Sequence, residues 1–250
     1  MWRVEWWRLA RTRRLLALLA VFVFFGFTGP LSSRYLGQLV SGASSQGITI
    51  TVPPPVPADG VGEYTGNALL IGLIVAVVVT AAGCAIDANP ALAGFYRSRT
   101  RRFRRLILPR IVVTAGAVIA SYLIGLLVAG YETAVLIGAP DVPAMLFGAL
   151  LGSVYLLVAV SVTAAAAVLA RGTLATVGVA LVVLTVFPLA GAVPALSRWM
   201  PSALAGAPEA VLRHTAPDHY PRALAAAALL CAAALVVTVV RGRQREVKAG

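Results

Sequence analysis

Six stretches of this chain, at 15–28, 68–86, 111–130, 145–170, 174–189 and 223–240, contain no Asp, Glu, Lys or Arg. A segment this apolar is at home in lipid, where every backbone N–H and C=O must find its partner within the segment, and a helix satisfies that demand. The expectation is therefore an all-α integral membrane fold of six transmembrane helices in one domain over 1–250. Charge content supports it: 12% of residues are charged and 60% hydrophobic, whereas a soluble domain carries about 25% charged residues. So little polar surface cannot cover a soluble globule of this length.

The runs have internal order. Ala68, Gly72, Ala76, Thr80 and Cys84 recur every fourth position, as do Ala117, Ser121, Gly125 and Ala129, and Gly148 and Gly152 form a further pair. Such ridges of small residues permit close helix contact where lipid removes the hydrophobic drive between helices. The first run, 15–28, is short for a bilayer core of about 30 Å; it reads as a retained anchor rather than a cleaved signal peptide, because no small-x-small site follows promptly. Cys84 and Cys231 fall inside apolar runs and read as small hydrophobes.

Charge placement fixes the expected orientation. The net charge of +12 would suit nucleic acid, but the basic residues cluster at the ends of apolar runs, where they orient a membrane protein and meet anionic headgroups. Segments 1–14, 87–110, Arg171 and the tail after 240 fall on one side, which the positive-inside rule makes cytoplasmic. Of the 21 Lys and Arg residues, only Arg34, Arg198, Arg213 and Arg222 fall on the other. Asp59, Glu63, Glu132, Asp141, Glu209 and Asp218 lie outside, against Glu5, Asp87 and Glu246 inside. Both termini are thus expected in the cytoplasm of a multi-pass plasma-membrane protein.

The polar segments differ in character. In 1–14, Trp2, Trp6, Leu9 and Ala10 share one side of a helical wheel, with Glu5, Arg8, Arg11 and Thr12 on the other. This suits a helix lying in the membrane interface with Trp2, Trp6 and Trp7 as anchors; a charged flank to the first span is the plainer alternative. Segment 29–67 reads as a long outer connection with a short helix over 33–40 and an extended Pro53-Pro54-Pro55-Val56-Pro57 stretch. Segment 191–222 reads as two short helices or a re-entrant hairpin. Segment 87–110 holds Arg97, Arg99, Arg101, Arg102, Arg104, Arg105 and Arg110 with Phe95 and Tyr96; its plain reading is an orientation signal, its sharper one a docking element for a cytoplasmic partner.

Several chemistries lack their residues. A Walker A loop needs a lysine after a glycine-rich run, and the sole lysine, Lys248, follows Glu246-Val247. If ATP drives this protein, another polypeptide binds it. The sequence has no mid-membrane pair of carboxylates to suit an ion-coupled carrier; Asp87 and Glu132 sit near span ends, where structural roles are expected. His214, Asp218 and His219 are spaced to hold a metal, yet outer-loop histidines are usually ordinary surface residues, and no metal site is expected. No acid, base and nucleophile converge in one leaflet, so an enzyme is not expected.

The layout resembles the ABC-2 type permeases, the membrane subunits of ATP-binding-cassette exporters. The likeness is carried by PLSSRYLGQLV after the first span, AIDANPALAGFYRSRTRRFRRLILPR between spans two and three, and FPLAGAVPALSRWMPSAL before the last span. It is one of architecture over nearly the whole chain. The resemblance implies a permease domain that forms a translocation pathway as a dimer, homodimeric or paired. A separate cytoplasmic ATPase subunit would hold ATP and Mg, with no cofactor on this chain and no nucleic-acid partner. It also implies a coupling segment at 87–110 in which Asp87, Phe95, Tyr96, Arg97, Arg99, Arg101 and Arg102 meet that ATPase, and pathway walls on spans two and five, where Thr80 and Thr185 lie. Many family members carry an acidic residue followed by Gly-Thr in that region; here Asp87 stands near the acidic position and Gly94-Phe95-Tyr96 replaces Gly-Thr. The competing expectation is a non-transport polytopic membrane protein, an assembly or immunity factor acting by binding. An almost lysine-free sequence rich in Arg, Ala, Val and Gly points to a GC-rich bacterial genome.

Overall fold

The structure, a computed structural model, describes residues 2–43, 53–84, 103–170, 172–215 and 220–247. Among these residues all regular structure is helical. The chain forms α1 (Trp2–Arg11), α2 (Arg14–Ala43), α3 (Pro57–Asn67), a π-helical turn (Ala68–Gly72) and α4 (Leu73–Cys84). It continues through α5 (Phe103–Leu136), α6 (Val142–Leu169), α7 (Thr173–Gly191), α8 (Pro194–Ser197), a 3-10 turn (Pro201–Leu204), α9 (Ala207–Leu212) and α10 (Tyr220–Val247). Among the described residues, six helical stretches are long and apolar enough to cross a membrane: Arg14–Gln38, Pro57–Cys84, Leu106–Leu136, Val142–Leu169, Thr173–Gly191 and Tyr220–Gly242.

Each stretch contains one expected span core, but the helices extend further. The first does not stop at 28: α2 continues through Pro30 to Ala43, absorbing the short helix expected over 33–40. Proline removes one donor and crowds the carbonyl four residues back. The helix nonetheless continues past Pro30, as membrane helices can; nearby, the Thr28 hydroxyl donates to Phe24 O at 3.0 Å and the Ser32 hydroxyl to Gly29 O at 2.7 Å. The second span starts at Pro57 rather than 68. Pro57 occupies the first helical turn, where a missing N–H costs nothing, and the Asp59 carboxylate reaches back to accept the Val56 N–H at 2.8 Å. Residues 53–56 remain outside helix.

α6 is the hub, packing against α4, α5, α7, α9 and α10. The small-residue ridges face inward: Ala68, Gly72, Ala76, Thr80 and Cys84 are buried, as are Ala117, Ser121, Gly125 and Ala129, and Gly148 with Gly152. These positions do not merely tolerate contact. A Cβ on Gly125 would lie 2.5 Å from Phe22 O and 2.6 Å from the Tyr64 hydroxyl, and one on Gly26 would lie 2.6 Å from Gly125 O. Helices α2 and α5 thus cross backbone to backbone. Beside the crossing, Phe22 meets Tyr122 edge-on at 6.0 Å between centroids, Tyr64 stacks on Tyr122 at 5.9 Å, and the Tyr64 hydroxyl donates to Tyr122 O at 2.6 Å. At the other extreme, α7 exposes Leu174, Val182, Val186 and Leu189.

Where two short helices or a re-entrant hairpin are expected, the described residues 191–215 form short pieces: α8, the 3-10 turn and α9. Leu204 and Ala207 are fully buried, and Gly148 lets α9 settle on α6 at Pro208. α9 ends where His214 adopts φ 53°, a left-handed turn that closes a helix.

Candidate functional site

Polar side chains gather at the two ends of the bundle. At the amino-terminal end, α1 lies against α2 and α5, and the reversal between α1 and α2 places Arg13 at φ 57°, a conformation that costs a non-glycine residue about 1–2 kcal/mol. The Thr12 hydroxyl closes α1 by donating to Arg8 O at 2.8 Å.

Glu5, which the wheel sets on the side opposite Trp2, Trp6 and Leu9, turns toward the bundle together with Leu9. Its carboxylate accepts Arg110 Nε at 3.0 Å and lies 3.5 Å from an Arg8 nitrogen. Leu9 is buried with it, while Trp2, Trp6 and Trp7 are all about half exposed or more. The tryptophans therefore stand free of the protein and the carboxylate is the docking group. Arg110, 3% exposed, also donates to Gly83 O at 3.3 Å. Glu5, Arg8, Arg14 and Arg110 surround a gap of only about 20 Å³, too tight for more than a single water.

At the hairpin end, Arg213 bridges Asp59 of α3 and Glu209 of α9; Nε lies 2.9 Å from Glu209 Oε1 and a terminal nitrogen bonds the Asp59 carboxylate. The Glu209 hydrogen bond, foremost, and the Asp59 charge raise the Arg213 pKa above its ordinary value. A raised value gives stability that is complete below the ordinary arginine pKa and lost only above it, so Arg213 titration contributes no pH dependence near neutrality. The ion pairs are well exposed, and Arg213→Gln is expected to change stability by less than about 1 kcal/mol. Thermal melts in low and high salt should show a small shift that shrinks with salt; a large, salt-independent loss would mean the bridge clamps the hairpin.

Two of the cavities at this end meet at Glu209. One of about 280 Å³ is lined by Leu69, Leu70, Tyr155, Pro188 and Ser202, and one of about 450 Å³ by Ser33, Asp59, Glu63, Asn67 and Arg213. Gly62, Gly66 and Glu209 line both. A Cβ on Gly62 would lie 2.8 Å from the Glu209 carboxyl carbon, so the carboxylate rests on bare backbone.

Of the residues expected to form the site, Asp87, Phe95, Tyr96, Arg97, Arg99, Arg101 and Arg102 lie outside the described residues. Thr80 is fully buried and its hydroxyl donates to Ala76 O at 2.7 Å, whereas Thr185 is exposed on α7. The two threonines share no surface. His214 is exposed, and Asp218 and His219 lie outside the described residues. Neither bridge figures in the sequence reading: Glu5 and Arg110, or Asp59 and Arg213, stand too far apart for local spacing to announce them, and only the Glu209–Arg213 arm has the four-residue spacing of a helical pair. The available signals were single, Glu5 as the sole acid in a basic segment and Arg110 as the last basic residue before a long apolar run.

The chain matches no protein-family model, and neither a curated protein nor a solved structure matches it.

Proposed function

We propose that this chain is the membrane-spanning permease subunit of an ATP-binding-cassette exporter, working as a pair of permease chains and driven by a separate cytoplasmic ATPase. The observation that carries the reading is the junction at the amino-terminal end. Gly83 at the close of α4 and Arg110 near the start of α5 meet each other and Glu5 of α1. The arginine-dense segment between α4 and α5 therefore leaves and re-enters the bundle beside α1. A force applied to that segment would reach two spans and α1 through buried contacts, and rigid-body switching needs such a stiff connection.

In this reading the amino-terminal end is cytoplasmic and the hairpin end external, in keeping with the arginine asymmetry of the sequence. Helix α1 lies in the inner interface, its exposed tryptophans in the headgroup region. The chain itself binds no ATP and carries no cofactor; nucleotide and Mg belong to the partner. In this reading Phe95 and Tyr96 provide the apolar contact to the ATPase, and Asp87, Arg97, Arg99, Arg101 and Arg102 the charged ones. Phe95→Asp or Tyr96→Asp is expected to abolish co-purification of a Walker-A-bearing ATPase while membrane insertion stays normal. Retention of the ATPase by both variants would remove the docking role. Labelling of a cysteine in 87–102 by an impermeant maleimide on intact cells would invert the orientation and end the exporter reading.

A further inference from the structure

The hairpin end holds an arrangement that neither topology nor energy coupling requires. Gly62 and Gly66, one turn apart on α3, leave a strip of bare backbone, and nothing lies within 4 Å of where a Gly66 Cβ would stand. The strip joins two cavities of opposite character. On one side the lining is apolar, with Leu69, Tyr155 and Pro188, and the π-helical turn at Ala68–Gly72 lies against it, a distortion that membrane and soluble helices commonly keep at functional positions. On the other side stand Asp59, Glu63 and Glu209 against Arg213, the one basic lining residue among the described residues. Arg213 is committed to Asp59 and Glu209, and Glu63 has no ion pair among the described residues. Arg34 adjoins Ser33 in sequence but does not line the cavity. The polar half therefore carries surplus negative charge.

We propose that the two cavities form one binding site for an amphipathic organic cation, its apolar body against Leu69, Tyr155 and Pro188 and its charge beside Glu63 and Glu209. Taken together the volumes fall within the range of about 300–1,000 Å³ usual for small-molecule sites. A zwitterionic lipid headgroup fits less well, since its phosphate would have to face the same carboxylates. As the cargo class of the proposed exporter the assignment rests on that reading; as a binding site on this chain it does not.

The test uses the purified full-length chain in phosphatidylcholine nanodiscs, with binding measured by equilibrium dialysis above that of protein-free discs. The probes are tetraphenylphosphonium and its near-isosteric anion tetraphenylborate. The phosphonium should bind saturably and the borate at least about tenfold more weakly, the order expected of a partly screened charge contact. Glu63→Gln, at an exposed and unpaired position, should weaken phosphonium binding by roughly the same factor and leave the borate unchanged. Leu69→Trp should fill the apolar half and remove phosphonium binding although every charge remains, with unchanged melting temperature in both variants as the check on folding. Equal binding of the two probes, or an unchanged phosphonium Kd in Glu63→Gln, would overturn the proposal. So would loss of phosphonium binding when phosphatidylethanolamine replaces phosphatidylcholine, which would make the site a lipid headgroup site. No ATPase enters the assay, so saturable phosphonium binding by a chain that never co-purifies an ATPase would sink the exporter reading and leave the site standing.

Discussion

Gly125→Val is expected to lower the melting temperature of the detergent-purified chain by about 10 °C, or to prevent recovery of a monodisperse protein. The size follows from what the new side chain would strike. Even a β-carbon at 125 falls 2.5 Å from Phe22 O and 2.6 Å from the Tyr64 hydroxyl. The first is backbone and the second is held by its bond to Tyr122 O, so neither can swing aside as a flexible side chain would. Overpacking of a tight core costs about 1–3 kcal/mol and occasionally more, and a chain of this size loses roughly 2–4 °C per kcal/mol. A crossing blocked from two sides belongs at the upper end. The control is internal: nothing lies within 4 Å of a Cβ on Gly116, nine residues earlier on the same α5, and Gly116→Ala should melt at or slightly above the native temperature because alanine favours helix. Heating followed by size-exclusion chromatography reads both. Melting of Gly125→Val within a degree or two of the native chain would mean that α2 and α5 do not meet backbone to backbone.

That crossing also shows which parts of the molecule were legible in the sequence. Burial of Ala117, Ser121, Gly125 and Ala129 depends on a four-residue period alone, and a period survives whatever the partner helix turns out to be. Helix ends depend on tertiary context and were read less well. Pro30 looks like a stop, yet α2 passes it and runs on to Ala43, because a membrane helix that is packed on its neighbours tolerates a proline that an isolated one would not. Residues 57–67 look like loop, with glycines at 60, 62 and 66 and acids at 59 and 63. They are helical because Val61 and Tyr64 are fully buried and because Gly60 and Gly29 let α3 approach Thr133 and α2. Propensity is a weak prior against packing of that kind. The wheel drawn for α1 is silent in a different way: it separates Trp2, Trp6, Leu9 and Ala10 from Glu5, Arg8, Arg11 and Thr12, and says nothing of the buried arginine that Glu5 meets. A hydrophobic criterion carries no information about a partner 105 residues away.

The Glu5–Arg110 bridge gives the second large effect, and its sign is asymmetric. Arg110 is 3% exposed and the Glu5 side chain 13%, and removing one member of a buried pair typically costs about 3–5 kcal/mol. Glu5 is the acid in a cluster that also holds Arg8 and Arg14. Glu5→Leu therefore leaves Arg110 beside two like charges and should cost more than Arg110→Met, which leaves Glu5 with Arg8 still 3.5 Å away. The loss should appear as release of α1 rather than as collapse of the spans, because α1 packs chiefly on α2 and α5 and lies outside the spans themselves. A cysteine placed at Leu9, buried at 6% exposure, in a background with Cys84 and Cys231 replaced, reports it by maleimide labelling. Labelling should be slow in the parent, intermediate in Arg110→Met and fastest in Glu5→Leu. The double variant removes both charges and should label more slowly than Glu5→Leu alone, since an apolar pair can substitute for a buried ion pair where half of one cannot. Strictly additive rates across the four proteins would show that the two side chains do not act as a pair, and with that the stiff link from α1 to the α4–α5 connection would be gone.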